Sequence, residues 1–185
     1  MRHWIHLAPY APLLTLLLWA AIGDYRTRLI RNWLTLSLMV SGLLQSFLPA
    51  ATVSPSSAAL GLLAGFGLLL IPFILNAIGG GDIKLLAGIG AWVGVSGVFQ
   101  IFLIESVVGL LIVLCQASAA GKIRSLFQNS AVLVVNLVHV GTLGIEHAET
   151  TGRACTSIDR PLPYAVPTLV ATVLFLFFTL VWGIG

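Results

Sequence analysis

The stretch "LLAGIGAWVGVSGVFQIFLIESVVGLLIVLCQASA", residues 85–119, carries one charge, Glu105, in an otherwise apolar run. A helix needs about 20 apolar residues to cross the hydrocarbon of a bilayer. The stretch is read as two spans, 85–95 and 98–119, the first short enough to be re-entrant where protein or water covers its ends. Outward from it, similar runs recur at 4–22, 33–48, 58–78 and 164–183. With 58% hydrophobic and 8% charged residues, the composition excludes a water-soluble core. The expected fold is all-α: a polytopic membrane helix bundle of about six spans, forming a single domain over residues 1–185.

The run 4–22 lacks a strong basic start and a small-residue cleavage site, so it reads as a retained span and not a secretory signal. The middle of the polar segment, "SAVLVVNLVHVGTLGI" at 130–145, tempts a seventh span. Gln128, Asn129, Asn136 and His139 interrupt this region and charges crowd both ends, a mixture that suits an interfacial helix near 124–147 better.

Basic residues collect on the cytoplasmic side of short loops. Placing Arg26, Arg28 and Arg31 inside puts Lys84, Lys122, Arg124, Arg153 and Arg160 inside too, so eight of the nine basic residues agree and only Arg2 dissents. The uncharged loop "PAATVSPSS", 49–57, then falls outside. A net charge of +3 is too small to make the pI of about 9.2 an argument for nucleic acid. Cys115 and Cys155 form neither a zinc clamp nor a disulfide framework. His139 and His147 have no third ligand at metal spacing and read as surface residues of the interfacial helix. No metal or cofactor is expected.

Ionisable groups near a membrane are costly, and the chain has six acids. Asp24 follows the first span and Asp82 opens the fourth, so both fall at the cytoplasmic boundary, whereas Glu105 lies within the fifth span. Two carboxylates in close proximity share a proton. The ionised one can draw a proton from water while the protonated one donates to a carbonyl oxygen, the chemistry of an aspartic protease. Gly79, Gly80 and Gly81, with no side chains, would adopt backbone angles closed to other residues and admit an extended substrate strand. Simpler readings stand beside these: Asp82 as a helix cap after a turn, and Asp24 as a solvated ion pair with its neighbouring arginines. Glu105 reads as a hydrogen-bonded interhelical contact or, alternatively, part of a proton path. Pro161 and Pro163 direct the chain into the last span, where Tyr164 is either an interfacial anchor or a site-lining group.

"GGGDIKLLAGIGAWVG", 79–94, resembles the G-x-G-D motif of the type IV prepilin peptidases, and "GDYRTRLIRNWLT", 23–35, resembles their first aspartate loop. "RPLPYAVPTLVAT", 160–172, is similar to the stretch that opens the last span in that family. The resemblance implies a GxGD aspartic endopeptidase of a prokaryotic inner membrane, with its site facing the cytoplasm. Its implied substrate is the basic leader of a prepilin or pseudopilin, cut just before the hydrophobic helix, in the context of a pilus or secretion assembly machinery. It makes Asp24 and Asp82 the catalytic pair, with Gly79, Gly80, Gly81, Lys84, Asn32, Pro163 and Tyr164 shaping the site. Arg31 stands where the family commonly has proline, while Asn32 is retained and is expected to cap the second helix. With no paired cysteines, the chain resembles the short, protease-only form of the tight-adherence (Flp-type) pili, without a methyltransferase or zinc domain. Two rivals of other classes are a small ion-coupled transporter, with the acids at a broken helix, and a non-catalytic pilus or secretion assembly subunit.

Overall fold

The computed structural model describes residues 8–74, 78–119, 121 and 163–182. The expected interfacial helix at 124–147, its two histidines and Pro161 lie outside the described residues. Among the described residues the chain is all-helical, without a strand. The helices are α1 (Ala11–Thr27), α2 (Asn32–Gln45), α3 (Pro55–Leu68), α4 (Leu70–Ile74), α5 (Gly80–Ala119) and α6 (Ala165–Trp182).

Helix α1 carries Pro12 in its first turn, where the missing N–H costs nothing. It buries Leu13, Leu17, Ala20, Ala21 and Asp24, a spacing of three and four that makes one inward stripe. The helix continues past the expected end of the span at 22, so Asp24 is a helical residue and not the start of a loop. Arg28 ends α1 in the left-handed region, φ 56, and its N–H reaches Asp24 O at 2.8 Å. Helix α2 begins after Arg31, which is extended and supplies no side-chain cap. Helix α3 is capped by Ser54, whose Oγ accepts from Ser57 N at 3.3 Å, with Pro55 in its first turn. The expected span 58–78 is interrupted: α3 stops at Leu68, and Leu69 leaves helical geometry before the short α4.

Gly94 interrupts α5 with φ 75 and ψ −174, a conformation that residues with a Cβ avoid. Glu105 nonetheless lies close enough to Asp82 for their charges to interact. Along a straight helix a 23-residue separation would set them about 34 Å apart, so the chain doubles back at Gly94. The break frees the Trp92 carbonyl, which accepts the Thr52 hydroxyl at 2.7 Å. Trp92 Nε1 in turn donates to Leu38 O at 3.2 Å, tying α5 to α2.

Helix α3 lies against α5 in backbone contact. A Cβ at Gly61 would meet the Gly90 carbonyl, one at Gly90 would meet the Gly61 carbonyl, and one at Gly65 would meet that of Leu86. Here the small residues are required by the crossing and are not incidental composition. The core between the helices is built from Leu13, Leu17, Leu38, Leu86, Ile89 and Ile101, all essentially inaccessible. The outer surface is also apolar, with Trp19, Leu36, Leu63, Leu110 and Phe177 among its exposed side chains. Among the described residues, α5 is the one element long and apolar enough to cross a membrane; Pro55–Leu68 and Ala165–Thr179 are shorter apolar helices.

Candidate active site

The inward stripe of α1 carries Asp24 to the end of the bundle where α5 and α6 begin. Its carboxyl is 5% exposed, and Oδ2 accepts the Ala165 N–H, in the first turn of α6, at 2.9 Å. A buried carboxylate on an unpaired helix N-terminal amide is well placed, because that amide has no intrahelical partner and the dipole favours negative charge. Asp24 is therefore not the solvated partner of neighbouring arginines; Arg26 and Arg31 are exposed while the aspartate faces inward.

Asp82 sits in the first turn of α5 and reaches back, its Oδ2 accepting Gly79 N–H at 3.0 Å. This is half of a capping box, so the simpler reading of Asp82 as a cap describes one oxygen of the carboxyl. The two carboxyls are close enough for their charges to interact. Among the described residues the second oxygen of each takes no hydrogen bond.

The three glycines act differently from the expectation. Among the described residues only Gly94 and Gly121 are glycines with positive φ, so Gly79, Gly80 and Gly81 use no forbidden backbone angles. Gly81 matters for space: a Cβ there would come within 2.9 Å of Ile30 Cβ, at the end of the α1–α2 connection. At Gly80 a Cβ would make ordinary contact with Phe73, 3.5 Å away, and at Gly79 it would lie 3.4 Å from Asp82 Oδ2.

Asn32 does not cap α2. It is the first helical residue, and its Oδ1 accepts Lys84 Nζ at 3.1 Å, linking the starts of α2 and α5. Pro163 is buried just before α6. The Tyr164 hydroxyl is buried inside the protein, which removes it as an interfacial anchor. It faces Glu105, which also approaches Thr168. Tyr164 Oη and Glu105 Oε2 nonetheless have no well-formed hydrogen bond. Among the described residues no group of three or more histidine, cysteine, aspartate or glutamate side chains is arranged to hold a metal ion.

Two contributors were missed from the sequence, and a third, Glu105, was singled out there without its place beside the aspartates. The Ala165 N–H belongs to the backbone and has no residue signature, although the proline at 163 marks a helix start nearby. The contact of Ile30 with Gly81 joins segments 51 positions apart. Glu105 arrives because Gly94 stands almost midway between it and Asp82, a symmetry the numbering already contained.

Set against known proteins, residues 11–114 match the profile described as the type IV leader peptidase family. The chain is 40% identical over 101 residues to a prepilin leader peptidase/N-methyltransferase of Klebsiella pneumoniae, covering 51% of this chain and 44% of that protein. It is 37% identical over 109 residues to one of Pectobacterium carotovorum subsp. carotovorum, covering 55% and 39%. A protein of the same description from Neisseria gonorrhoeae is 32% identical over 106 residues, covering 54% and 37%. The matched stretch thus spans roughly two fifths of these relatives. No solved structure matches the chain.

Proposed function

This chain belongs to the type IV leader peptidase family, and from that premise we propose that it is an aspartic endopeptidase that removes the basic leader of prepilin-like proteins, Flp-type prepilins or pseudopilins, with Asp24 and Asp82 as the catalytic pair. The observation that supports the reading is that two carboxyls from distant helices come close enough for their charges to interact, each with one oxygen tied to a backbone N–H and, among the described residues, the other without a hydrogen bond. Such a pair shares a proton. The ionised carboxylate takes a proton from a water placed between the two; the protonated one donates to the carbonyl oxygen of the scissile peptide as water adds to its carbon. Collapse of the tetrahedral species, with proton return to the leaving amine, releases the leader and the shortened pilin.

Both backbone tethers fix carboxyl orientation before substrate arrives, which is where positioning contributes to rate. The Lys84–Asn32 link and the close fit of Ile30 on Gly81 hold the α1–α2 connection against the start of α5, and with it the spacing of the two aspartates. We read residues 1–185 as one multi-pass domain of about six spans in a prokaryotic inner membrane. The apolar outer surface and the reversal at Gly94, which divides α5 into two limbs, support that reading. Arg26, Arg28 and Arg31 near the aspartates favour a cytoplasmic site. A leader that is basic and cut just before an apolar helix would present its scissile bond at that depth.

The test is to incubate the purified chain in detergent with a leader-bearing prepilin and to sequence the new N-terminus of the product. Cleavage at the leader junction that disappears in both Asp24→Asn and Asp82→Asn is the expected result. Normal cleavage by either variant overturns the pair; ion transport lost with cleavage intact would favour a transporter.

A further inference from the structure

We infer that Glu105 is a positioning residue for leader cleavage: through Tyr164 and Thr168 it fixes the first turn of α6, and so the Ala165 N–H that holds Asp24. The inference rests on the peptidase reading above and names a residue that reading does not use.

Glu105 is 4% exposed, and its Oε2 is buried without a partner. A buried carboxyl oxygen without a hydrogen bond is costly, and leucine would fill the space without that cost, so packing does not account for it. What it faces does. Its neighbours Tyr164 and Thr168 bracket the first turn of α6, and the residue between them in that turn, Ala165, makes the bond to Asp24. Thr168 Oγ1 donates to Tyr164 O at 2.9 Å and Thr172 Oγ1 donates to Thr168 O at 2.8 Å, both within their own helix. Glu105 is thus a polar group of α5 set against the start of α6. It reaches that place because Gly94 turns the second limb of α5 back toward the aspartates.

The Thr168 hydroxyl proton is already given to Tyr164 O, so its Oγ1 can only accept from a neighbour. Tyr164 Oη can donate. Glutamine at 105 supplies both an acceptor for Tyr164 and a donor for Thr168, whereas leucine supplies neither. That difference separates positioning from bulk.

The purified full chain in detergent is assayed for kcat and KM on a leader-bearing prepilin, with thermal unfolding followed in the same detergent. Glu105→Leu and Tyr164→Phe are each expected to lower kcat about ten- to a hundredfold, with KM within about twofold and the protein still folded at the assay temperature. Glu105→Gln is expected to restore kcat to within about threefold of wild type. Glu105→Leu combined with Tyr164→Phe should be no slower than the slower single variant, because both act through one contact. Unchanged kcat in Glu105→Leu, an equal loss in Glu105→Gln, or independent losses in the double variant would each overturn the inference. Should Glu105→Leu fail to fold, Tyr164→Phe carries the test, since it removes the one oxygen that faces Glu105 and keeps the ring; unchanged kcat there is then the overturning result. Asp24→Asn and Asp82→Asn run beside these variants. If they cleave normally, the peptidase reading fails; if they are inactive while Glu105→Leu keeps full kcat, only the role of Glu105 fails.

Discussion

The two ends of the helix bundle treat their polar atoms in opposite ways. At the Thr52 end, the carbonyl freed by the break at Gly94 is answered by the Thr52 hydroxyl, Thr52 N–H is answered by Gln45 Oε1 at 3.0 Å, and Trp92 Nε1 by Leu38 O. Among the described residues only Gln45 Nε2 is left over there. At the aspartate end, among the described residues, the buried Glu105 Oε2 and Tyr164 Oη have no hydrogen-bond partner, and one oxygen each of Asp24 and Asp82 takes no hydrogen bond. Buried polar atoms are almost always satisfied, so the unpartnered Glu105 Oε2 and Tyr164 Oη beside the aspartates mark that end as the one that holds groups for something other than folding. The closed end secures the shape, and the open end uses it.

The contrast breaks most visibly at the aspartates. Asn in place of either Asp24 or Asp82 keeps size and most hydrogen bonding, and is expected to lower leader cleavage at least about 10²-fold while the thermal midpoint in detergent stays near wild type. The next effect in size belongs to the α3–α5 seam. Gly61→Val or Gly90→Val drives a side chain into an opposing carbonyl and should destabilise the bundle by about 1–3 kcal/mol or more, read as a lowered thermal midpoint or loss of folded protein.

Thr52→Val then tests the closed end directly. It leaves the Trp92 carbonyl unanswered at a cost of about 1–3 kcal/mol, so unfolding should come at lower temperature while kcat of the folded fraction is unchanged. A drop in kcat larger than the drop in folded fraction would show that the two ends are not separate in role. The smallest effect is at Arg31. Its φ of −68 is already the proline value, and no backbone hydrogen bond from its N–H is seen, so Arg31→Pro should raise stability by about 0.4–1 kcal/mol without altering cleavage.

Much of this was readable beforehand where charge is scarce. In a chain with six acids, Asp24 and Asp82 stand out, and the all-helical build follows from the apolar runs. The details that fail to show have a common physical origin. Helices apolar on every side give no periodic signal for which face turns inward, so the stripe that delivers Asp24 could not be separated from the exposed residues Leu18, Trp19 and Ile22. Asn32 was given the role its residue type favours, a cap, because its actual partner Lys84 is 52 positions away. The glycines before Asp82 were assigned the use of unusual backbone angles, whereas at Gly81 the need is room for Ile30. Among the described residues, the glycine whose backbone angles decide the topology is Gly94, and nothing in its sequence neighbours distinguishes it.

That reversal makes the second limb of α5 a ruler. Each residue along it adds about 1.5 Å of travel and about 100° of rotation. One residue inserted between Gly94 and Glu105 would swing the carboxyl away from α6 while Asp82, on the other limb, kept its place. The count of residues from bend to carboxylate is therefore as much a part of the molecule's chemistry as the carboxylate itself.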